Sequence, residues 1–140
     1  LIPNILKTAL KINAVFELMG NDYDTKDGTC VRDYIHVDDL ADAHILSLEK
    51  LMRGENSAVY NLGSGTGFSN KEILDAAVRI TGIDIPVKIS PRRPGDPPVL
   101  IASSEKIKSE LLWNPSRTNL ESLIGTAWEW HRANPGGYGS

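Results

Sequence analysis

The stretch VRDYIHVDDLADAH, residues 31–44, decides the fold. The side chains of 31–35 indicate a short strand, and apolar residues from 40 to 51 recur at helical spacing. We therefore predict a strand over 31–35, followed by an amphipathic helix that begins near Asp38 and ends at Gly54. A strand that runs into a helix within fourteen residues indicates a chain of mixed secondary structure.

The sequence on either side of this segment continues the mixture. Its patterns predict further helices over 2–10, 70–81 and 104–113 and from 118 onward, and further strands over 15–19, 59–62, 86–89 and 99–102. The polar stretch 20–28 and the proline-rich stretch 90–98 are predicted loops. Helices and short strands alternate throughout, so the pattern indicates an α/β or α+β class.

Several helix ends carry recognisable signals. Candidate side-chain caps at helix starts are Ser69 with Glu72, Ser104, and Thr118 with Glu121. Gly82 is expected to end the helix over 70–81. The acids expected to face the positive end of a helix dipole are Asp38, Asp39 and Asp42.

Composition excludes several classes of function. The chain has 140 residues and a net charge of −3, without a block of like charges, so we predict no binding to nucleic acid or to a membrane. No apolar run approaches the roughly 18–20 residues that span a bilayer. The single Cys30 cannot form an internal disulfide, which favours a reducing, cytoplasmic setting. The residues His36, His44 and His131 lack metal-ligand spacing, so no metal site is predicted.

Two stretches offer groups that bind anions or hydroxyls. Arg32 lies in the predicted strand, beside Asp33, and the loop PRRPGDPP, residues 91–98, contains Arg93 and Asp96. Prolines stiffen this loop, and an arginine fork matches the paired oxygens of a phosphate. An ionised aspartate accepts hydrogen bonds only, as a ribose diol or sugar hydroxyl requires. The alternatives are a surface ion pair between Arg32 and Asp33, and a solvated loop.

The segment NLGSGTG, residues 61–67, invites comparison with dinucleotide-binding loops. It follows a predicted strand and precedes a predicted helix, but Phe68 stands where the G-x-G-x-x-G pattern needs its third glycine. We therefore favour a tight turn between the two elements over a cofactor site.

Together these motifs resemble the UDP-glucose 4-epimerase family of the extended short-chain dehydrogenase/reductase group. The segments that carry the resemblance are GNDY (20–23), DGT (27–29), VRDYIHVDDLA (31–41), YNLGSG (60–65), RRPGD (92–96), LLWNP (111–115) and AWEWH (127–131). They cover essentially the whole chain. The long loop over 21–29 resembles epimerases more than the related nucleotide-sugar dehydratases and decarboxylases.

The resemblance implies a role for nine residues. Arg32 and Arg93 would grip the UDP diphosphate, and Asp96 would accept the ribose hydroxyls. Leu1, Glu17 and Met19 would line the uracil pocket. Tyr34 would help to line the nucleotide site, and Asn70 would border the nucleoside. Leu100 would face the substituent at C2 of the sugar. Two positions depart from the family: an aromatic residue is common at 19, and Tyr or Cys is familiar at 100.

The resemblance further implies that residues 1–140 are one α/β domain, the carboxy-terminal UDP-sugar-binding portion, with most of the Rossmann domain missing. NAD and the Tyr-x-x-x-Lys pair would belong to a segment before residue 1, since no Tyr-x-x-x-Lys occurs here. The chain alone would then contain no catalytic residue and be inactive.

The intact parent would be a homodimeric isomerase that interconverts UDP-glucose and UDP-galactose by NAD-dependent oxidation and re-reduction at C4. UDP-N-acetylhexosamines are further candidate ligands. Two alternatives stay open. The chain is a piece of a related dehydratase or decarboxylase, or it is a nucleotide-sugar-binding module without catalysis.

Overall fold

A computed structural model describes residues 1–138. Within this range the chain forms five helices and five strands, in the order α1 Ile2–Ala9, β1 Phe16–Met19, β2 Val31–Arg32, α2 Val37–Met52, β3 Phe68–Ser69, α3 Asn70–Thr81, β4 Val87–Ser90, β5 Val99–Leu100, α4 Glu105–Leu111 and α5 Leu120–Ala133. None of these helices is long and apolar enough to cross a membrane. The alternation of elements confirms the predicted mixed class.

The strands form two small sheets. In the first, β1 and β4 run parallel with Phe16 opposite Val87. In the second, β2 lies between β3 and β5, antiparallel to β3 and parallel to β5, with Val31 opposite both Ser69 and Val99. The predicted strand over 31–35 is thus only two residues long, because its partners β3 and β5 are equally short.

The larger core packs α1, α3 and α5 against β1. Its fully buried side chains include Ile5, Leu6, Ile73 and Ile124. Burying one such aliphatic side chain contributes about 1.5–3 kcal/mol. This layer supports β1 from behind and so fixes one wall of the cavity described below.

A second core lies between α2 and α4, where Ala43 packs against Ile107 and Trp113. Asp39, at the start of α2, is 2% exposed and accepts hydrogen bonds from the backbone N–H groups of Ser116 and Arg117, at 2.9 and 3.0 Å. Asp39 thus lies in the first turn of α2, as predicted, and has a second role that the sequence did not predict. Its carboxylate ties the loop before α5 to α2.

The start of α3 is as predicted. Ser69 and Glu72 form a reciprocal capping box, and Gly82 ends the helix with φ of +69°. Ser104 is the N-cap residue of α4, as predicted, but its hydroxyl donates to the carbonyl oxygen of Gly63 and makes no cap hydrogen bond. The predicted capping box of Thr118 and Glu121 is wrong, because Asn119 caps α5.

The predicted strand over 59–62 is absent from the described residues. A strand needs a neighbouring backbone to pair with, and this segment runs beside α4 instead. Lys106 donates to the carbonyl oxygen of Val59, and the Tyr60 hydroxyl donates to Glu110 at 2.7 Å. These side chains hold the segment in place but provide no ladder of backbone hydrogen bonds.

Asp27 joins the loop after β1 to the start of α3. One carboxylate oxygen accepts from the backbone N–H and hydroxyl of Thr29, at 2.9 and 2.8 Å, and the other accepts from the hydroxyl of Ser69. Burial alone would raise the pKa of Asp27, but the hydrogen bonds from Ser69 and Thr29 and the charge of Lys26 lower it below its usual value. Ionised Asp27 therefore stabilises the fold.

We predict a pH-dependent effect of Asp27→Asn on stability. Because the pKa of Asp27 is lower in the folded chain, its contribution is present above the unfolded pKa of about 4 and is lost as pH falls through the folded value. Urea unfolding should show a lower free energy of unfolding for the variant near neutral pH, and the difference should shrink below about pH 4.

Asp24→Asn, a substitution of an exposed acid in the same loop, is the matched control and should change stability little at either pH. If the difference between wild type and Asp27→Asn is constant across this range, the stabilising effect of Asp27 does not depend on its ionisation.

Candidate functional site

One cavity of about 490 Å³ lies where the two sheets, the starts of α1 and α3, and the loop between β4 and β5 meet. Its volume falls within the range of small-molecule sites. Its lining residues are Leu1, Asn4, Phe16, Glu17, Met19, Arg32, Tyr34, Asn70, Arg93 and Asp96. A second depression, between α2 and α4, measures only about 90 Å³.

The apolar wall comes from β1 and α1. Phe16 is buried and Met19 is half-buried, because β1 packs on the larger core. Glu17 faces the cavity from an exposed position and pairs with Lys88, its neighbour on β4, at 3.1 Å. This side of the cavity therefore combines an apolar surface with one carboxylate at its mouth.

The opposite wall carries a cluster of two arginines around one aspartate. Arg32 donates to one oxygen of Asp96 at 2.9 Å, and Arg93 lies 3.3 Å from the other oxygen. The Arg32 and Asp96 side chains are only 20% and 21% exposed, whereas Arg93 is 64% exposed. Two guanidinium groups against one carboxylate leave an excess positive charge, which favours an anionic ligand.

Tyr34 and Asn70 form a neutral pair beside this cluster. The Tyr34 hydroxyl donates to the side-chain oxygen of Asn70 at 3.3 Å. Burial raises the pKa of Tyr34 to about 12, so the phenol is protonated at neutral pH and serves as a donor. With its oxygen engaged, Asn70 can present its amide nitrogen to a ligand as a donor.

The structure brings eight of the nine predicted site residues to this cavity. The exception is Leu100, which lies on β5 opposite Arg32, 60% exposed, and does not line the cavity. Arg92 also turns away from it. Its guanidinium pairs with Asp22 at 2.6 Å and stacks over the Tyr23 ring at 4.3 Å. The roles assigned to the nine residues stay predictions.

Sequence reasoning missed two lining residues, Asn4 and Phe16. Asn4 lies three residues after Leu1, so the two share a side of α1, and helical spacing would have paired them. Phe16 opens β1 inside the predicted strand over 15–19, and the alternation of side chains along a strand does not indicate which of them line a cavity.

The glycine-rich loop over 63–67 does not fit a dinucleotide. Its Ser64 backbone N–H donates to Asp33 at 3.0 Å, and the Ser64 hydroxyl donates to the same oxygen. A carboxylate therefore occupies the position where a phosphate would be bound. A side chain at Gly63 would collide with Asp33 and Ala102, so glycine is needed here for close packing. The residues of this chain do not form an NAD site at this loop.

Comparison with known proteins gives one consistent relationship. Residues 1–63 match the NAD dependent epimerase/dehydratase family. A UDP-glucose 4-epimerase from Lactobacillus helveticus is 53% identical over 99% of this chain, which corresponds to 42% of that protein. The chain thus spans about two fifths of the length of the curated relatives it matches.

Solved structures agree. A crystal structure of UDP-glucose 4-epimerase matches the whole chain with a TM-score of 0.96 at 49% identity, over 43% of its own length. The Bifidobacterium longum enzyme, solved in complex with NAD⁺ and UDP, matches 99% of the chain with a TM-score of 0.90 at 37% identity, over 41% of its length. Nearly the whole chain is therefore homologous to about two fifths of the UDP-glucose 4-epimerases, which confirms the family resemblance and the α/β fold predicted from its motifs.

Proposed function

We propose that this chain is the carboxy-terminal, UDP-sugar-binding domain of a UDP-glucose 4-epimerase. The observation that carries the proposal is the convergence of eight residues, chosen by family resemblance, on one cavity. The Bifidobacterium longum relative, which was solved with UDP, supports the ligand class. UDP-glucose and UDP-galactose are then the ligands of the parent, and a homodimer and a cytoplasmic location are proposed for it by the same resemblance.

The charges of the cavity suit a nucleoside diphosphate. The diphosphate would lie between Arg32 and Arg93, which offer charge-assisted hydrogen bonds from two directions. One oxygen of Asp96 accepts from Arg32 and the other lies 3.3 Å from Arg93, so a ribose hydroxyl would share that carboxylate with the arginines. The uracil would lie toward Met19 and Glu17, on the wall formed by β1.

Catalysis would require groups outside these 140 residues. We propose that the portion of the relatives without a counterpart here binds NAD and contains the Tyr-x-x-x-Lys pair. The exposed side of α2 supports a larger parent: Val37, Ile45, Leu48 and Met52 are all more than half exposed and share one helix face. An apolar face of this kind is usually covered. The unmatched portion of the parent is the proposed cover.

The two alternative functions predict different reaction products and different gene structures. A dehydratase or decarboxylase parent would also bind a nucleotide sugar but would release an altered product. A binding module without catalysis would bind UDP, and its gene would contain no reading frame before the codon for Leu1. The sequence upstream of that codon therefore distinguishes the module from both enzymes.

The first test of the proposal is activity. We predict that the 140-residue chain neither interconverts UDP-glucose and UDP-galactose nor retains NAD, whereas the reading frame extended upstream encodes a Gly-x-x-Gly-x-x-Gly turn and Tyr-x-x-x-Lys and interconverts both sugars. Coupled assays with each sugar measure this in host cells that lack their own epimerase. Turnover by the chain alone, or an extended enzyme that dehydrates the sugar, would contradict the proposal.

The second prediction concerns the arginines. Arg32→Ala or Arg93→Ala in the extended protein should weaken UDP binding by about 1.5–3 kcal/mol, the size of a hydrogen bond to a charged group. UMP, which has one phosphate fewer, should be affected less. Isothermal titration with both nucleotides measures the difference.

Arg92→Ala is the matched control, because Arg92 lies next to Arg93 in sequence but contacts Asp22 and Tyr23 outside the cavity. It should weaken UDP binding much less. Equal losses for Arg92→Ala and Arg93→Ala would mean that the two arginines do not clamp the diphosphate.

The third prediction concerns the sugar. A Leu at position 100 is smaller than Tyr and has no hydroxyl, so it should leave room for an N-acetyl group. We predict that the extended enzyme accepts UDP-N-acetylglucosamine as well as UDP-glucose, and that Leu100→Tyr selectively lowers kcat/KM for the acetylated sugar. Since Leu100 lies outside the described cavity, an unchanged ratio of the two kcat/KM values would remove it from the sugar site.

A further inference from the structure

We propose that Asp27 is a positioning residue for nucleotide-sugar binding: through Ser69 and Thr29 it fixes the first turn of α3 and so directs the Asn70 amide into the cavity. The inference rests on the proposed function. Asp27 itself does not line the cavity, and the resemblance assigned it no role.

The contact between Asp27 and α3 works through two hydroxyl relays. The Ser69 hydroxyl accepts from the backbone N–H of Glu72 at 3.1 Å and donates to Asp27. The Thr29 hydroxyl accepts from the backbone N–H of Lys71 at 3.1 Å and donates to the other oxygen of Asp27. Each of the two Asp27 oxygens is therefore linked, through one hydroxyl group, to one backbone N–H of the first turn of α3.

These relays account for the early N–H groups of α3, which have no partner within the helix. The N–H of Asn70 itself donates to the carbonyl oxygen of Cys30 at 2.9 Å. Asn70, Lys71 and Glu72 are thus all fixed, directly or through a hydroxyl, by the segment 27–30 and the cap Ser69. Asn70 is the one of the three that lines the cavity.

The arrangement requires an acceptor at both oxygens of residue 27. Both relay hydroxyls donate to Asp27, and both Ser69 and Thr29 are at most 1% exposed, so water cannot easily replace a lost partner. An asparagine at this position would offer one acceptor and one N–H donor. One of the two buried hydroxyls would then face an N–H donor and lose the acceptor for its own proton, which would weaken the hold on the first turn.

The local turn brings Asp27 into place. Gly28 has φ of +80°, and a side chain there would collide with the carbonyl group of Asn21. The Thr29 N–H bonds back to Asp27 across this glycine, a turn that Asx residues favour. The DGT segment is thus a compact turn that holds the Asp27 carboxylate over the start of α3.

The consequence for the cavity runs through Asn70. Its side-chain oxygen accepts from Tyr34 at 3.3 Å, and its amide nitrogen is the donor available to a ligand. A first turn that moves by a fraction of a bond length would weaken this long hydrogen bond and misdirect the amide. Asp27 therefore acts on the ligand only by way of Asn70.

Asp39 provides a matched control. It too is a carboxylate near a helix start that accepts backbone N–H groups from another segment, those of Ser116 and Arg117. It lies at the second core and does not line the cavity of about 490 Å³. Asp39→Asn should therefore reduce stability as Asp27→Asn does, without a specific effect on Asn70.

The experiment uses the 140-residue chain in two steps. First, the side-chain ¹H–¹⁵N heteronuclear NOE of Asn70 is measured without ligand in wild type, Asp27→Asn and Asp39→Asn. We expect a clear loss of the NOE in Asp27→Asn only. Thr29→Val, which removes one relay and keeps the carboxylate, should show a smaller loss and serves if Asp27→Asn does not fold.

Second, UDP binding is titrated in the single variants Asp27→Asn and Asn70→Ala and in the double variant. Asp27→Asn should weaken binding roughly 3- to 10-fold, the effect of one neutral hydrogen bond. It should have no further effect in the Asn70→Ala background, because Asp27 acts through that side chain.

Each outcome decides one of the two proposals. Equal NOE losses in Asp27→Asn and Asp39→Asn, or additive losses of UDP affinity in the double variant, would overturn the role of Asp27. If the wild-type chain and the extended protein both fail to bind UDP, the proposed function fails. The NOE comparison still decides in that case whether Asp27 orients Asn70.

Discussion

The start of α3 is the constraint on which both the core and the cavity depend. Three successive residues of this turn are held by the segment that leads into β2, and the strand pairing of Val31 with Ser69 continues the same contact. From this turn α3 delivers Ile73, Leu74 and Ala77 to the larger core. The same turn places Asn70 beside Tyr34 at the cavity. A shift at this junction would therefore disturb packing and ligand contacts together.

Three aspartates in the segment 27–39 use their carboxylates in the same way, to join separate parts of the chain. Asp27, Asp33 and Asp39 lie six residues apart, and each accepts hydrogen bonds from a distant part of the chain. Asp33 accepts from the backbone N–H of Ser64 and of Ala102, at 3.0 and 3.3 Å. An ionised carboxylate has several acceptor sites and so can hold two segments at once. A fold with such short strands relies on these contacts where a longer sheet would use its ladder.

The accuracy of sequence reasoning follows the range of the interactions involved. The capping box of Ser69 and Glu72 is formed by residues three apart, so its pattern can be identified in the sequence alone. The strand over 59–62 was predicted wrongly because a strand depends on a partner elsewhere, and here α4 takes that place. The role of Asp39 was missed for the same reason, since its partners lie 77 and 78 residues away. Local propensity cannot identify partners at such separations.

The candidate site likewise contains features that local sequence can predict and features that depend on distant contacts. Family motifs named eight lining residues, yet nothing local in the sequence joins Arg32 to Asp96, which are 64 residues apart. The DGT segment is a more instructive case, because its Asx turn is a local signal but its contact with Ser69 spans 42 residues. The motif alone would indicate a turn. Only the fold reveals that the turn holds a carboxylate over a helix start.

The pairing of both arginines with Asp96 has a consequence for how an anion would bind. Arg32 is largely buried, and a buried guanidinium without a partner would be strongly destabilising, so Asp96 compensates its charge before a ligand arrives. The same contact limits the rotamers of Arg32 and lowers the entropy lost when a ligand immobilises it. Arg93, which is mostly exposed and less constrained, loses more freedom on binding but carries less desolvation cost. The two arginines would thus contribute differently, with Arg32 as the more buried, preorganised donor and Arg93 as the more exposed one.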